Sequence, residues 1–162
     1  MGGSSRGGDM TTFALNFCRP GWQVLLQYYN FLGLGRKGYA AVQGANRDVA
    51  RYLASQIDAM DAFTLWNDGS DIPVFAWRLK AGHTENWDLY DLSAQLRQRG
   101  WLVPAYPMPD DLADHTVHRL VVRTCLSMDL ADLLLHNLRA SVSYLAGLHS
   151  HPPHYTPSTT PF

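Results

Sequence analysis

Charge, cysteine and long apolar runs are all scarce in this chain, and each scarcity excludes something. Charged residues make up 17% of the 162 positions and nearly cancel, to a formal net charge of -1. With no basic patch, electrostatics gives no reason to expect nucleic acid or an anionic membrane as a partner. The two cysteines, Cys18 and Cys125, stand far apart without CxxC or Cys/His ligand spacing. Neither a disulfide framework nor a zinc site is indicated, and a reducing, cytoplasmic setting is the expectation. No apolar run approaches the ~18 residues of a membrane span, and the first residues lack the basic and apolar regions of a signal peptide. Lysine is as rare as cysteine, confined to Lys37 and Lys80.

What the chain has is apolar side chain: 46% of its residues are hydrophobic, enough for one domain with a real core and too few residues for two. Residues 1–10, rich in Gly and Ser, read as a flexible N-terminal segment, either an added remnant or a natural chain cut short. Residues 11–148 read as the folded part, and 149–162, with four prolines and three histidines, as a flexible tail.

Within the folded part, Pro20 is placed to start a helix whose Val24, Leu25, Tyr28, Tyr29, Phe31 and Leu32 follow helical spacing, an aromatic face best explained by packing. Gly33, Gly35 and Gly38 lack the GxGxxG pattern and predict a bend between helices. Val42, Ala45, Val49, Leu53, Ile57 and Met60 then line one helical face, with Arg47, Asp48 and Arg51 opposite as a solvated surface. Residues 63–66 and 74–79 predict two strands joined by a turn at 67–71. Asp88 caps a helix carrying Leu89, Leu92 and Leu96 and ending at Gly100. Residues 101–105 predict a third strand, and Pro104, Pro107 and Pro109 a loop through Asp111. A fourth strand at 117–122 leads into a helix capped by Asp129, with Leu130, Leu133, Leu134, Leu138, Val142 and Leu145 as its stripe. The fold class is α+β: a largely antiparallel sheet of about four strands with helices on one face.

The fourth strand carries the residue of most chemical interest. Grouping Arg119 with Leu120 and Val122, against Val117 and Val121, makes both faces apolar, as in an interior strand. Arg119 then either escapes to solvent at a sheet edge or is buried against an anion. A guanidinium cannot shed its charge, and burying it unpaired costs several kcal/mol, roughly. Spacing alone favours the solvated arginine. Other chemistry is absent: no HExxH, no GxSxG, and His115 and His118 on opposite faces of the strand. Asp110 and Asp111 read as a solvated turn.

A resemblance adds what composition does not. Asn16-Phe17-Cys18-Arg19-Pro20 with Gln23, Tyr28 and Tyr29, then Gly38-Tyr39, Leu89-Tyr90-Asp91-Leu92-Ser93, Arg99-Gly100-Trp101, Val103-Pro104-Ala105, Arg119, Met128-Asp129 and Leu133-Leu134-Leu135 resemble, in order, the C-terminal part of glutamate decarboxylase. The resemblance implies the small C-terminal domain of a pyridoxal-phosphate-dependent, transferase-like fold, in a lyase that converts L-glutamate to 4-aminobutanoate and carbon dioxide. It places Arg119 where the family's arginine holds the substrate α-carboxylate. A bidentate grip there would turn the Cα–carboxylate bond toward perpendicular to the pyridoxal ring. It also implies that Phe17 and Cys18 reach the cofactor of a neighbouring subunit, although cysteine stands where the family has a serine on the phosphate, and thiols bond weakly.

The family's Schiff-base lysine follows a histidine in the large cofactor domain, and neither Lys37 nor Lys80 has that context. The chain alone is therefore expected to bind no pyridoxal phosphate and to be inactive, with no catalytic residue of its own. Its expected partners are the large cofactor domain, neighbouring subunits of a homo-oligomer, and L-glutamate. Calmodulin, bound by a basic tail in plant relatives, is not expected, because no Lys or Arg follows Arg139. His149, His151 or His154 could act like the tail histidine that plugs the site in bacterial relatives. The alternative is a catalytically dead α+β interaction or structural module derived from such an enzyme.

Overall fold

The computed structural model describes residues 21–83, 86–112 and 114–148. Phe17, Cys18 and the tail histidines lie outside them. The elements run α1 (Trp22–Asp58), β1 (Phe63–Asn67), β2 (Val74–Leu79), α2 (Leu89–Gln98), β3 (Ala105–Pro107), a 3-10 turn (Asp110–Leu112), β4 (Thr116–Val121) and α3 (Met128–Ala146). The strands pair antiparallel in the order β1-β2-β4-β3. The expected α+β layer is the one observed.

The glycine bend is real and confined to one residue. Gly35 leaves helical geometry at φ 55°, ψ -174°, so α1 is two helices joined by a kink, and positive φ is a conformation glycine adopts without steric cost. Past the kink, Val49, Ala50, Leu53, Ala54 and Ile57 are buried against the sheet. Before it, Trp22, Val24, Leu25, Tyr28, Tyr29, Phe31 and Leu32 are exposed, Val24 and Tyr29 at 72%. The packing expected for this aromatic face is thus not made within the described residues.

The hairpin of β1 and β2 is closed by Asn67, whose side-chain amide donates to the Val74 carbonyl (2.7 Å) and whose Oδ1 accepts from the Ala76 N–H (2.9 Å). These bonds hold the register shift between Leu65 and Asn67. In the turn, Gly69 has φ 73°, and an added Cβ would sit 3.2 Å from the Ala50 Cβ. Gly69→Ala is accordingly expected to destabilise by about 1–2 kcal/mol through the left-handed backbone alone. Gly44→Ala, in α1 with nothing within 4 Å of the new atom, should instead stabilise by about 0.5–1 kcal/mol. Urea titration of the two variants checks both signs.

Helix α2 is set by local chemistry at both ends. Asp88 accepts from the Tyr90 and Asp91 N–H groups (2.8 and 3.0 Å) while Asp91 accepts from the Asp88 N–H (2.9 Å), a reciprocal capping box. At the other end Gly100 takes φ 86°, and the Trp101 N–H returns to the Leu96 carbonyl at 2.9 Å. That closure corrects the expected third strand. Trp101 is used by the helix end and Pro104 has no N–H, so pairing with β4 begins at Ala105 and continues to Pro107. Proline is tolerated there because β3 is the sheet's edge.

The last helix starts two residues earlier than expected. Ser127, not Asp129, is its N-cap, its Oγ accepting from the Leu130 N–H at 3.3 Å; Asp129 sits in the first turn, where a carboxylate suits the helix dipole. Tyr52 donates to Asp132 (2.6 Å) and Arg139 to Gln56 (2.9 Å), tying α3 to α1. Helices α1, α2 and α3 together cover one face of the sheet, where Phe63, Phe75, Trp77, Leu92, Leu96, Leu135 and Leu138 form the core. The other face is left open.

Candidate functional site

Side chains alternate along a strand, so β4 divides into His118, Leu120 and Val122 toward the helices and Val117, Arg119 and Val121 toward the open face. This corrects the grouping that put Arg119 beside Leu120 and Val122. Arg119 is exposed, whereas His118 is fully buried. The desolvation argument for a buried anion partner therefore does not hold within this chain. What replaces it is the composition of the open face.

Arg119 lies opposite Ala76 of β2, with its guanidinium carbon 5.6 Å from the centroid of the Tyr106 ring on β3. Two residues along β2, Arg78 is on the same face. Its guanidinium carbon is 5.4 Å from the Trp66 ring centroid, and its Nη1 donates to the Nδ1 of His115 at 3.3 Å. The His115 ring meets Trp66 edge-on, 5.9 Å between centroids. Thr64, Val74, Ala76, Val117 and Val121 fill the rest of this face by alternation, and none is acidic. Among the described residues, the one side-chain ion pair is Arg47 with Asp48 at 3.9 Å, on the solvated surface expected for them. Two guanidinium groups thus share one open face, each against an aromatic ring and neither paired with a carboxylate among the described residues. Such a face is receptive to an anion, because a guanidinium presents N–H donors in a planar fork that fits a carboxylate.

No local pattern marks Tyr106, Trp66, Arg78 or His115 as neighbours of this site. Their only signal would have been the β1-β2-β4-β3 strand order, which local patterns do not encode. His118 was legible by parity with Leu120 and Val122. Its Nε2 lies 3.0 Å from the Leu89 carbonyl and 2.9 Å from Ser93 Oγ, while Ser93 Oγ is 2.8 Å from the Val103 carbonyl. A carbonyl only accepts, so Nε2 carries the proton, and the Ser93 hydroxyl donates to the Val103 carbonyl or to that of Leu89, 3.0 Å away. The other ring nitrogen, Nδ1, is buried without a partner. Burial pushes the His118 pKa down to about 4, against the smaller opposing pulls of the Leu89 carbonyl and Asp88. His118 is a neutral core residue linking β4 to α2.

The pyridoxal phosphate that the resemblance implies would need a lysine, and the two in this chain lie away from Arg119. Lys37 lies exposed on α1, and Lys80, exposed past the end of β2, lines a cleft with Asp61, His83 and Arg139 that does not include Arg119. No lysine stands on the described open face to anchor the cofactor. Among the described residues, no group of three or more potential ligands could hold a metal ion, and no helix is long and apolar enough to cross a membrane.

Comparison with known proteins finds relatives over most of this chain. The chain is 45% identical over 141 residues to the glutamate decarboxylase of Aliivibrio fischeri, covering 86% of this chain and 30% of that protein. It is 39% identical to glutamate decarboxylase beta of Listeria monocytogenes over 88% of this chain and 31% of the relative. The chain belongs to the glutamate decarboxylase family. It spans about a third of the length of the curated relatives it matches.

Solved structures agree. A Lactobacillus brevis glutamate decarboxylase superposes with a TM-score of 0.79 at 38% identity, over 92% of this chain and 34% of that one. A Burkholderia pseudomallei sphingosine-1-phosphate lyase, at 20% identity and TM-score 0.65 over 87% of this chain and 29% of that one, shares the fold. No family model matches the sequence. Among glutamate decarboxylases, then, this chain corresponds to a small domain whose open sheet face carries Arg119.

Proposed function

We propose that this chain is the C-terminal small domain of a glutamate decarboxylase, and that Arg119 holds the α-carboxylate of L-glutamate. The observation that carries this reading is the unpaired guanidinium of Arg119 on the open face of a chain related to one third of such enzymes. A bidentate grip would fix the bond that breaks when carbon dioxide leaves, so that the carboxylate departs in one orientation. The pyridoxal phosphate of the complete enzyme supplies the electron sink for that bond and is held by the part of the protein outside this chain. On this reading residues 11–148 are the domain, and Phe17 and Cys18 contribute to a neighbouring subunit's cofactor site.

On this reading the 162-residue chain alone is inactive. Mixed with pyridoxal phosphate and reduced with borohydride, it should give no site-specific adduct on peptide mapping. A stoichiometric adduct at Lys37 or Lys80 would overturn the assignment of the cofactor to another part of the protein.

The exposed apolar half of α1 supports a second reading, an interaction module without catalysis, because so much apolar surface marks an association site. Both readings expect the isolated chain to self-associate. A clean monomer in analytical ultracentrifugation, with no hydrophobic-dye binding, would contradict the docking role of that face. Catalysis by the complete enzyme separates the two readings.

A further inference from the structure

Arg119 makes no hydrogen bond or ion pair among the described residues, so its long side chain would be free to sweep the open face were it not for one neighbour. That neighbour is Tyr106. We infer that Tyr106 is a positioning residue, whose ring fixes the plane of the Arg119 guanidinium while leaving its N–H edge free for a carboxylate.

The backbone places the ring for this task. Tyr106 pairs with Val117 across β3 and β4, which puts it diagonally beside Arg119 on the same face. Pro107 follows it, and a residue before proline is restricted to extended conformations. Pro104 stands two residues earlier, so the short edge strand has few alternatives, and its one tyrosine faces the arginine by alternation.

The chemistry of the contact matters more than its strength. An aspartate in the same place would hold the guanidinium through the donors a substrate carboxylate needs, and the substrate would have to displace it. An aromatic face instead attracts the cation through the π-system. The fork remains whole, yet its motion is limited. Arg78 on Trp66 repeats the arrangement two residues away, but its Nη1 is already committed to His115. Of the two arginines, Arg119 is the one presented with its donors unoccupied.

The inference rests on the reading of Arg119 as the carboxylate receptor, but its test can be made without substrate. In the 162-residue chain, the Nε–H order parameter of Arg119 is measured by nitrogen-15 NMR, the signal being assigned by its loss in Arg119→Lys. Wild type and Tyr106→Phe should show a restricted side chain, whereas Tyr106→Leu should drop to the flexible range, below about 0.6. The Arg78 signal serves as the control for a preserved fold, since its Trp66 shelf is untouched. Equal Arg119 order in wild type and Tyr106→Leu would overturn the proposal.

The kinetic counterpart uses an Aliivibrio fischeri glutamate decarboxylase carrying residues 11–148 of this chain in place of its own matching segment. Tyr106→Leu should lower kcat/KM by about fivefold and Tyr106→Phe should restore it, as expected of a cation–π contact at an exposed site. A leucine variant as active as wild type, in a chimera that Arg119→Lys does cripple, would overturn the positioning role alone. A chimera indifferent to Arg119→Lys would overturn the carboxylate reading itself.

Discussion

Arg119→Lys, placed in that chimera, is expected to lower kcat/KM for L-glutamate by more than tenfold, corresponding to ~1.4 kcal/mol or more of lost transition-state stabilisation. The charge is conserved in this substitution, so the loss measures geometry. Lysine offers a rotating point charge, whereas the guanidinium holds both carboxylate oxygens in one plane. Because the departing carboxylate must keep its orientation as the bond breaks, part of the loss should fall on kcat and not on KM alone. Ionic strength provides a check. Arg119 is exposed in this chain, and a charge left open to solvent in the complete enzyme would show a salt-sensitive KM. Unchanged kinetics in the lysine variant would reject the residue as the carboxylate receptor.

The second large effect concerns stability, not catalysis. His118 is fully buried with a pKa lowered to about 4 from its ordinary 6.5. The unfolded chain takes up a proton near pH 6.5, but the folded chain does not until about pH 4. The stability tied to keeping this ring neutral is fully present above pH 6.5 and is lost progressively as the pH falls to about 4. At 1.36 kcal/mol per unit, the loss across that window is about 3 kcal/mol. The cause is local: protonation would create an N–H at Nδ1, which has no acceptor, in a site walled by Trp77, whose ring lies edge-on at 5.2 Å.

His118→Leu should remove this acid dependence, at a cost at neutral pH from the bonds to Leu89 and Ser93 that it deletes. Urea titrations of both proteins at pH 7 and pH 4.5 separate the effects, since all other titrating groups are common to the two. Parallel losses of stability would show that His118 is not the group responsible.

How far the sequence carried this account depends on what kind of information each feature needs. Local chemistry was legible. The Asp88 cap, the Gly100 stop and the Gly35 kink are written in a few adjacent residues, and each is found in place. The β1–β2 hairpin follows from periodicity, and the stripe of α3 does so in part: Leu134, Leu138 and Leu145 are buried, whereas Leu130 and Leu133 are exposed and Ala131 and Leu135 take their place in the core. The third strand slipped to Ala105 because the closure of α2 by Trp101 competes for the same backbone. The helix cap moved from Asp129 to Ser127 because both are good caps two residues apart.

The site was harder to read. The resemblance gave Arg119 its position, but the face it occupies follows only from strict alternation with Val117 and Val121. The company it keeps depends on a strand order that brings β3 beside β4 and β2 on its other side. Tyr106 reads locally as one residue in a proline-rich loop, and only the pairing with Val117 makes it the neighbour of a guanidinium. The aromatic half of α1 shows the same limit from the other direction. Its pattern signals a surface to be covered, yet no covering element lies among the described residues.

The most direct measurement is the release of carbon dioxide from L-glutamate by the chimera itself, with the parent Aliivibrio fischeri protein as reference. If this chain is the small domain of such an enzyme, the chimera should bind pyridoxal phosphate with the parent's absorbance and decarboxylate glutamate within about tenfold of the parent's rate, a difference of ~1.4 kcal/mol in barrier. A chimera that folds and binds the cofactor normally but releases no carbon dioxide would contradict that account and favour the non-catalytic module.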